Sequence, residues 1–288
     1  MKQKGRITAT ILGIIGICLF LISIYFFVSQ SLETRRAKES LQDFHPSTAS
    51  PVPPQLTSAP KLTETPAASA LPTPTNTPTA TPVPLVENPY AKAYAANEDM
   101  VGWLVIPDTK IDYPLMWTPG DENYYLYRDF NKRENKNGSL ILDTDSSLTP
   151  LTTNLIIHGH NMKSGEMFGN LTDYEDPEYF AKHPQIILYT KECARNYEII
   201  AVFRSQVYKK SDQVFKFYQF FQAPTEKEFH DFYGNIKELS LYDTGVDATF
   251  GDRFLTLSTC VYHVKNGRFV IVAKEIDPGD YYLPIDES

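Results

Sequence analysis

The sequence predicts a mainly β protein, a closed or partly closed barrel of short strands behind an apolar helix and a proline-rich spacer. Three observations carry this reading. After Glu87 the chain breaks into short β-branched and aromatic runs separated by Pro, Gly, Asn and Asp, the spacing of a barrel rather than of strand–helix–strand units. Tyr and Phe are abundant, at 18 and 17, which suits pleated, half-buried surfaces. Roughly 200 residues follow Glu87, enough for one sizeable core.

Taken in order, residues 1–6 hold Lys2, Lys4 and Arg6, and residues 7–28 are free of charge. At ~1.5 Å per residue a helix over 7–28 spans a ~30 Å hydrocarbon layer. The run exceeds the ~7–15 apolar residues of a signal peptide, and no small-residue cleavage site follows it. A single-pass membrane anchor is expected, embedded in lipid, with a cytoplasmic N-terminus and the remainder extracellular. Arg35, Arg36 and Lys38 on the far side weaken that charge bias. The juxtamembrane residues 29–45 are charged and suit a short helical extension. Residues 46–86 hold 11 of the chain's 21 prolines and nine threonines, with only Lys61 and Glu64 charged. No apolar period exists there to bury a core, so a disordered spacer is expected. Fully extended it would reach roughly 125 Å, lifting the domain of residues 87–285 off a membrane.

That domain opens with a predicted helix over 88–100. Strands are expected at 101–106, 111–115, 139–142, 154–158, 185–189, 197–204, 253–258 and 268–274. One helix interrupts them. Thr225 and Glu228 form a capping box, and Phe229, Phe232, Ile236 and Leu239 make an apolar stripe behind it. The stripe should face the barrel just before the strand that ends at Cys260.

The net charge of -8 gives nucleic-acid binding no electrostatic support. The three cysteines suggest no disulfide framework: Cys18 lies in the apolar run and Cys193 in a polar turn. Cys260 is then a free thiol in an exported domain. Its strand, Leu255-Thr256-Leu257-Ser258-Thr259-Cys260, is followed by a second β-rich run that begins at Arg268. A thiol at the lip of a sheet, one strand from a guanidinium, is either a nucleophile with an oxyanion partner or a structural residue.

The segment Asn154-Leu155-Ile156-Ile157-His158-Gly159-His160-Asn161 is a second apolar run that stops at ionisable groups. An imidazole at a strand end can exchange a proton near neutral pH, which thiol acyl transfer requires twice. His158 and His160 could also be zinc ligands, but with Cys260 they give three ligands where a structural site needs four. No metal or cofactor is expected.

Thr256-Leu257-Ser258-Thr259-Cys260, Gly159-His160-Asn161-Met162 and Arg268 together resemble a sortase. Asn97-Glu98-Asp99-Met100-Val101-Gly102-Trp103-Leu104, Ile111-Asp112-Tyr113-Pro114, Asn123-Tyr124-Tyr125-Leu126 and Gly165-Glu166-Met167-Phe168-Gly169-Asn170-Leu171 resemble class B of that family, as does the extra helix before the cysteine strand. The resemblance covers nearly all of the chain after Glu87. It implies a closed eight-stranded barrel and a cysteine transpeptidase of the thiol-protease type. Such enzymes cut a C-terminal sorting signal, here of Asn-Pro-x-Thr-x type, after threonine. They pass the acyl group to a peptidoglycan precursor amine or, in pilin polymerases, to a lysine of another subunit.

On this sequence the resemblance implies Cys260 as nucleophile, His160 as proton donor and acceptor, and Arg268 as oxyanion partner. Ser258 matches a position lining the substrate groove. His158 stands where many relatives carry tyrosine, so a substrate contact there is a weaker expectation. His263, close to the thiol in sequence, lacks the strand-end context of His160. A papain-type hydrolase would place Cys before His, the reverse of the order here. A catalytically inactive wall-binding module would have no need of all three groups.

Overall fold

The computed structural model describes residues 2–46, 85–262 and 264–285, so most of the spacer, and His263, lie outside the described residues. The first element, α1 (Lys2–Gln42), runs unbroken through the apolar stretch and the charged segment behind it. It is long and apolar enough to cross a membrane, and Leu19, Phe20 and Phe27 stay well exposed on it.

α2 (Ala91–Ala96) is shorter than the helix expected over 88–100. Asn97 stops it. Its side chain accepts the Asp99 N–H and donates to the Phe130 carbonyl and Tyr125 hydroxyl, which hold the residue in an extended conformation. Met100 already begins β1.

Eight strands follow: β1 (Met100–Val105), β2 (Asp112–Met116), β3 (Leu140–Leu142), β4 (Asn154–Gly159), β5 (Gln185–Tyr189), β6 (Cys193–Gln206), β7 (Phe254–Cys260) and β8 (Gly267–Tyr281). They close a barrel in the order β1-β2-β3-β4-β7-β8-β6-β5. Each matches an expected strand, but β6 and β8 extend well past the expected limits. Cys193, expected in a polar turn, instead starts β6 and is buried, with the Thr190 N–H donating to its carbonyl. Pairing is antiparallel except for β2 with β3 and β4 with β7. The β4–β7 exception shapes the site.

Strand alternation sorts side chains into two layers. Leu155 and Ile157 of β4, Leu255 and Leu257 of β7, and Phe269, Ile271 and Ala273 of β8 fill the barrel. Phe254, Val270 and Val272 face outward into a second core.

A short helix the sequence did not announce, α3 (Pro177–Lys182), starts at an Asp176 cap with proline in its first turn. α4 (Glu226–Leu239) covers the outer layer and carries the expected Thr225–Glu228 capping box. Phe229, Phe232 and Ile236 are buried against the strands, with the Phe229 and Phe254 rings stacked at 5.3 Å. Leu239 departs from the expected stripe and is 42% exposed. The helix ends there and Ser240 turns to an extended conformation, which leaves the last side chain overhanging.

Candidate active site

The site begins with the parallel pairing of β4 and β7. Gly159 is paired with Thr259, so His160 and Cys260 leave the same barrel end side by side, although about a hundred residues separate them in sequence. The Thr259 hydroxyl donates to the Gly159 carbonyl at 2.7 Å, which locks the two strand ends in this register. Cys260 is also paired with Arg268 across the β7–β8 hairpin. A register of pairs thus brings thiol, imidazole and guanidinium to one rim. All three residues are partly exposed.

The hairpin that fixes Arg268 turns at Asn266, whose φ of 58° lies in the left-handed region that asparagine tolerates. The Val261 N–H donates to the Gly267 carbonyl and closes the turn. Arg268 Nη1 donates to the Gly267 carbonyl at 3.1 Å and to that of Asn266 at 3.5 Å.

His160 is oriented by a backbone group. Its Nε2 lies 2.8 Å from the Leu126 carbonyl, in the 3-10 turn Tyr124–Tyr127. A carbonyl oxygen only accepts, so Nε2 carries the hydrogen and Nδ1 is the nitrogen left for proton exchange. The Tyr127 ring lies 5.6 Å from the imidazole. Next along the chain, Asn161 Nδ2 donates to the Cys260 carbonyl at 2.9 Å, a direct tie between the two strand ends. The Leu126 carbonyl, Tyr127 and the Asn161 amide were not singled out from sequence, although a class B motif contains Leu126 and the family's histidine motif contains Asn161.

Ser258 and His158 are paired with one another one step below the rim. Ser258 is buried, and its hydroxyl has no hydrogen-bond partner among the described residues. His158 Nε2 lies 3.0 Å from Asp143 Oδ2, on the loop after β3. Asp143 was not foreseen as a partner. Cys193 is buried where Cys260 is partly exposed. Burial pushes the Cys193 thiol up, away from the thiolate, only partly offset by the nearby Arg195 charge. A cavity of about 330 Å³, lined by Met100, Trp117, Leu142, Thr190 and Arg195 among others, lies at the opposite barrel end.

Comparison with known proteins identifies the barrel's family. Residues 104–276 match the model of the sortase domain family. Sortase B of Listeria monocytogenes is 35% identical over 181 residues, covering 62% of this chain and 70% of the relative. Sortase B of Bacillus anthracis in complex with AAEK1 superimposes with a TM-score of 0.58 at 30% identity, over 68% of this chain and 90% of that one. A Staphylococcus aureus sortase B–substrate complex gives a TM-score of 0.60 at 27% identity, over 67% and 87%. By its domain match, its relatives and its closed barrel, the chain belongs to the sortase family of cysteine transpeptidases, and within it to class B.

Proposed function

We propose that the chain cleaves an Asn-Pro-x-Thr-x sorting signal after threonine and transfers the protein to a cell-wall amine, held at the membrane by α1. The observation that supports this reading most is the β4–β7 register, which puts His160 beside Cys260 at the strand ends. In this scheme the Cys260 thiolate adds to the threonine carbonyl carbon. Arg268 donates to the oxygen that gains charge, a favourable task for a guanidinium that stays protonated. The tetrahedral adduct collapses, the C–N bond breaks, and imidazolium His160 gives its Nδ1 proton to the departing amine. The acyl group is then a thioester on Cys260. An acceptor amine attacks it, loses a proton to His160 and expels the thiolate, which restores the starting state.

Ser258 and His158, below the thiol, line the peptide's path in this reading. The Staphylococcus aureus sortase B solved as a substrate complex supports a substrate site on the same fold. The test is transpeptidation by the full chain with an Asn-Pro-x-Thr-x library and acceptor amines, oligoglycine, diaminopimelate and lysine peptides among them. Cys260→Ala should abolish transfer. Arg268→Ala should lower kcat by roughly 10²–10³-fold, the usual loss for one oxyanion donor. Full activity in His160→Ala would sink the assigned base, and the acceptor consumed would separate wall anchoring from pilin joining.

A further inference from the structure

The end of α1 is built into the barrel. Leu41 is 8% exposed and belongs to the same core as the barrel interior. It shares a small cavity with Tyr113, Phe130, Gly138, Leu140 and Met167. Phe44 packs on Phe130 with ring centroids 5.1 Å apart, and His45 meets the Trp103 ring edge-on and lies 3.4 Å from Asp112. The Asn137 amide reaches the Thr34 hydroxyl at 3.4 Å. The far end of the spacer also rests on the barrel, where Val86 bridges Tyr282. Both ends of the spacer therefore sit on one body, and its length does not set the distance from α1 to the barrel.

One contact in this seam reaches the site. Glu166 is 6% exposed, a carboxylate inside the loop that follows His160. Among the described residues its ion pair is with Lys38 of α1, Nζ to Oε1 at 2.8 Å, while its Oε2 accepts from the Tyr113 hydroxyl at 2.9 Å. A buried carboxylate that loses its cation is left with an uncompensated charge, which favours opening of the segment that carries it. That segment is short and closed on itself. Met167 bridges Asn161, the Phe168 N–H donates to the His160 carbonyl at 3.0 Å, and Asn161 in turn donates to the Cys260 carbonyl.

We propose that Lys38 is a positioning residue for the reaction: through Glu166 it holds the 160–168 loop, and with it His160 and Asn161, in register with Cys260. The catalytic domain of this chain then starts at Thr34 of the anchor helix rather than after the spacer. The proposal rests on the catalytic reading above for its kinetic arm, but its structural arm is independent of it.

The test uses the full chain in lipid nanodiscs, with K38M and K38R compared to wild type by amide hydrogen exchange and by peptide cleavage. K38M should speed exchange at residues 160–168 by roughly tenfold, the scale of one lost partner to a buried charge. Exchange in β6, across the barrel, should not change. The same variant should lower kcat by a similar factor with KM little altered, and K38R should keep both within about twofold of wild type, since it retains the charge. Unchanged exchange at 160–168 in K38M overturns the proposal, whether or not the peptide is cleaved. A uniform rise over the whole barrel also overturns it, because Lys38 would then be merely structural. A wild-type chain that fails to cleave any peptide counts against the catalytic reading alone.

Discussion

Gly159 explains why the strand carrying His160 ends as it does. Its missing side chain would point into the barrel, where a Cβ would lie 2.6 Å from both Leu140 Cδ2 and Phe168 Cδ2. No side chain fits there without displacing the Leu140 and Phe168 side chains. Gly159→Ala should therefore destabilise the fold by about 1–3 kcal/mol, the usual range for overpacking. Thermal unfolding measures that loss. The adjacent imidazole should shift with it, and displacements near 1 Å cost roughly 10²-fold in rate. The two cysteines of the barrel make a second prediction at this scale. Partly exposed Cys260 should be alkylated by iodoacetamide in the folded chain while buried Cys193, its thiol held protonated, stays intact. Mass spectrometry of the tryptic peptides decides it, and preferential loss of Cys193 would contradict the assignment. The strand-end placement of Cys260, His160 and Arg268 was legible in the sequence because each lies at one end of an apolar, β-rich run. The Leu126 carbonyl and Asp143 were not. One is a backbone atom and the other lies 15 residues from its histidine, so only the folded barrel brings them to their partners.

Among the elements, α4 was the clearest in the sequence, because its start signal and its apolar period agree. It also underpins the site. Phe232 stacks on Phe220 at 3.8 Å and packs on Phe254, while Val270 of β8 lies in the same cluster. The strands that present Cys260 and Arg268 thus rest on this helix. Phe232→Ala should cost about 3–5 kcal/mol, as a large aromatic removed from a core does. Leu239→Ala should stay within about 0.5 kcal/mol, because the side chain is largely outside that core. Urea unfolding of the pair checks both values, and equal losses would mean that the overhanging Leu239 is packed after all. The lengths of β6 and β8 were less legible. Asp277-Pro278-Gly279 looks like a chain break, yet Pro278 pairs with Arg195 where the register slips. A local irregularity in a long ladder lets proline stay in the sheet.

At the scale of the whole molecule, the barrel could be read from its run of short strands, but the docking of α1 could not. Leu41 and Met167 lie far apart in sequence, and the charged residues around Leu41 hide it from any periodicity. The barrel also buries many tyrosines. Desolvation raises the Tyr242 hydroxyl to about 12 and pushes Tyr90, Tyr174 and Tyr197 well above the ordinary range. The folded chain keeps these phenols neutral where an unfolded one ionises them near pH 10. Their contribution to stability is complete below about pH 9 and is lost as pH rises through the folded values. The urea midpoint should fall steadily between about pH 9 and 12, and a flat profile would show that the phenols are not sequestered. The parallel pairing of β4 with β7 also sets the order in which Cys260 and His160 come together. Parallel neighbours cannot be joined by a hairpin, so the strand that carries Cys260 comes in sequence only after β5, β6 and α4. A chain emerging N-terminus first carries His160 about a hundred residues before Cys260. The barrel closes only when β7 and β8 occupy the place between β4 and β6, so a chain cut short before β7 would leave His160 without Cys260 beside it.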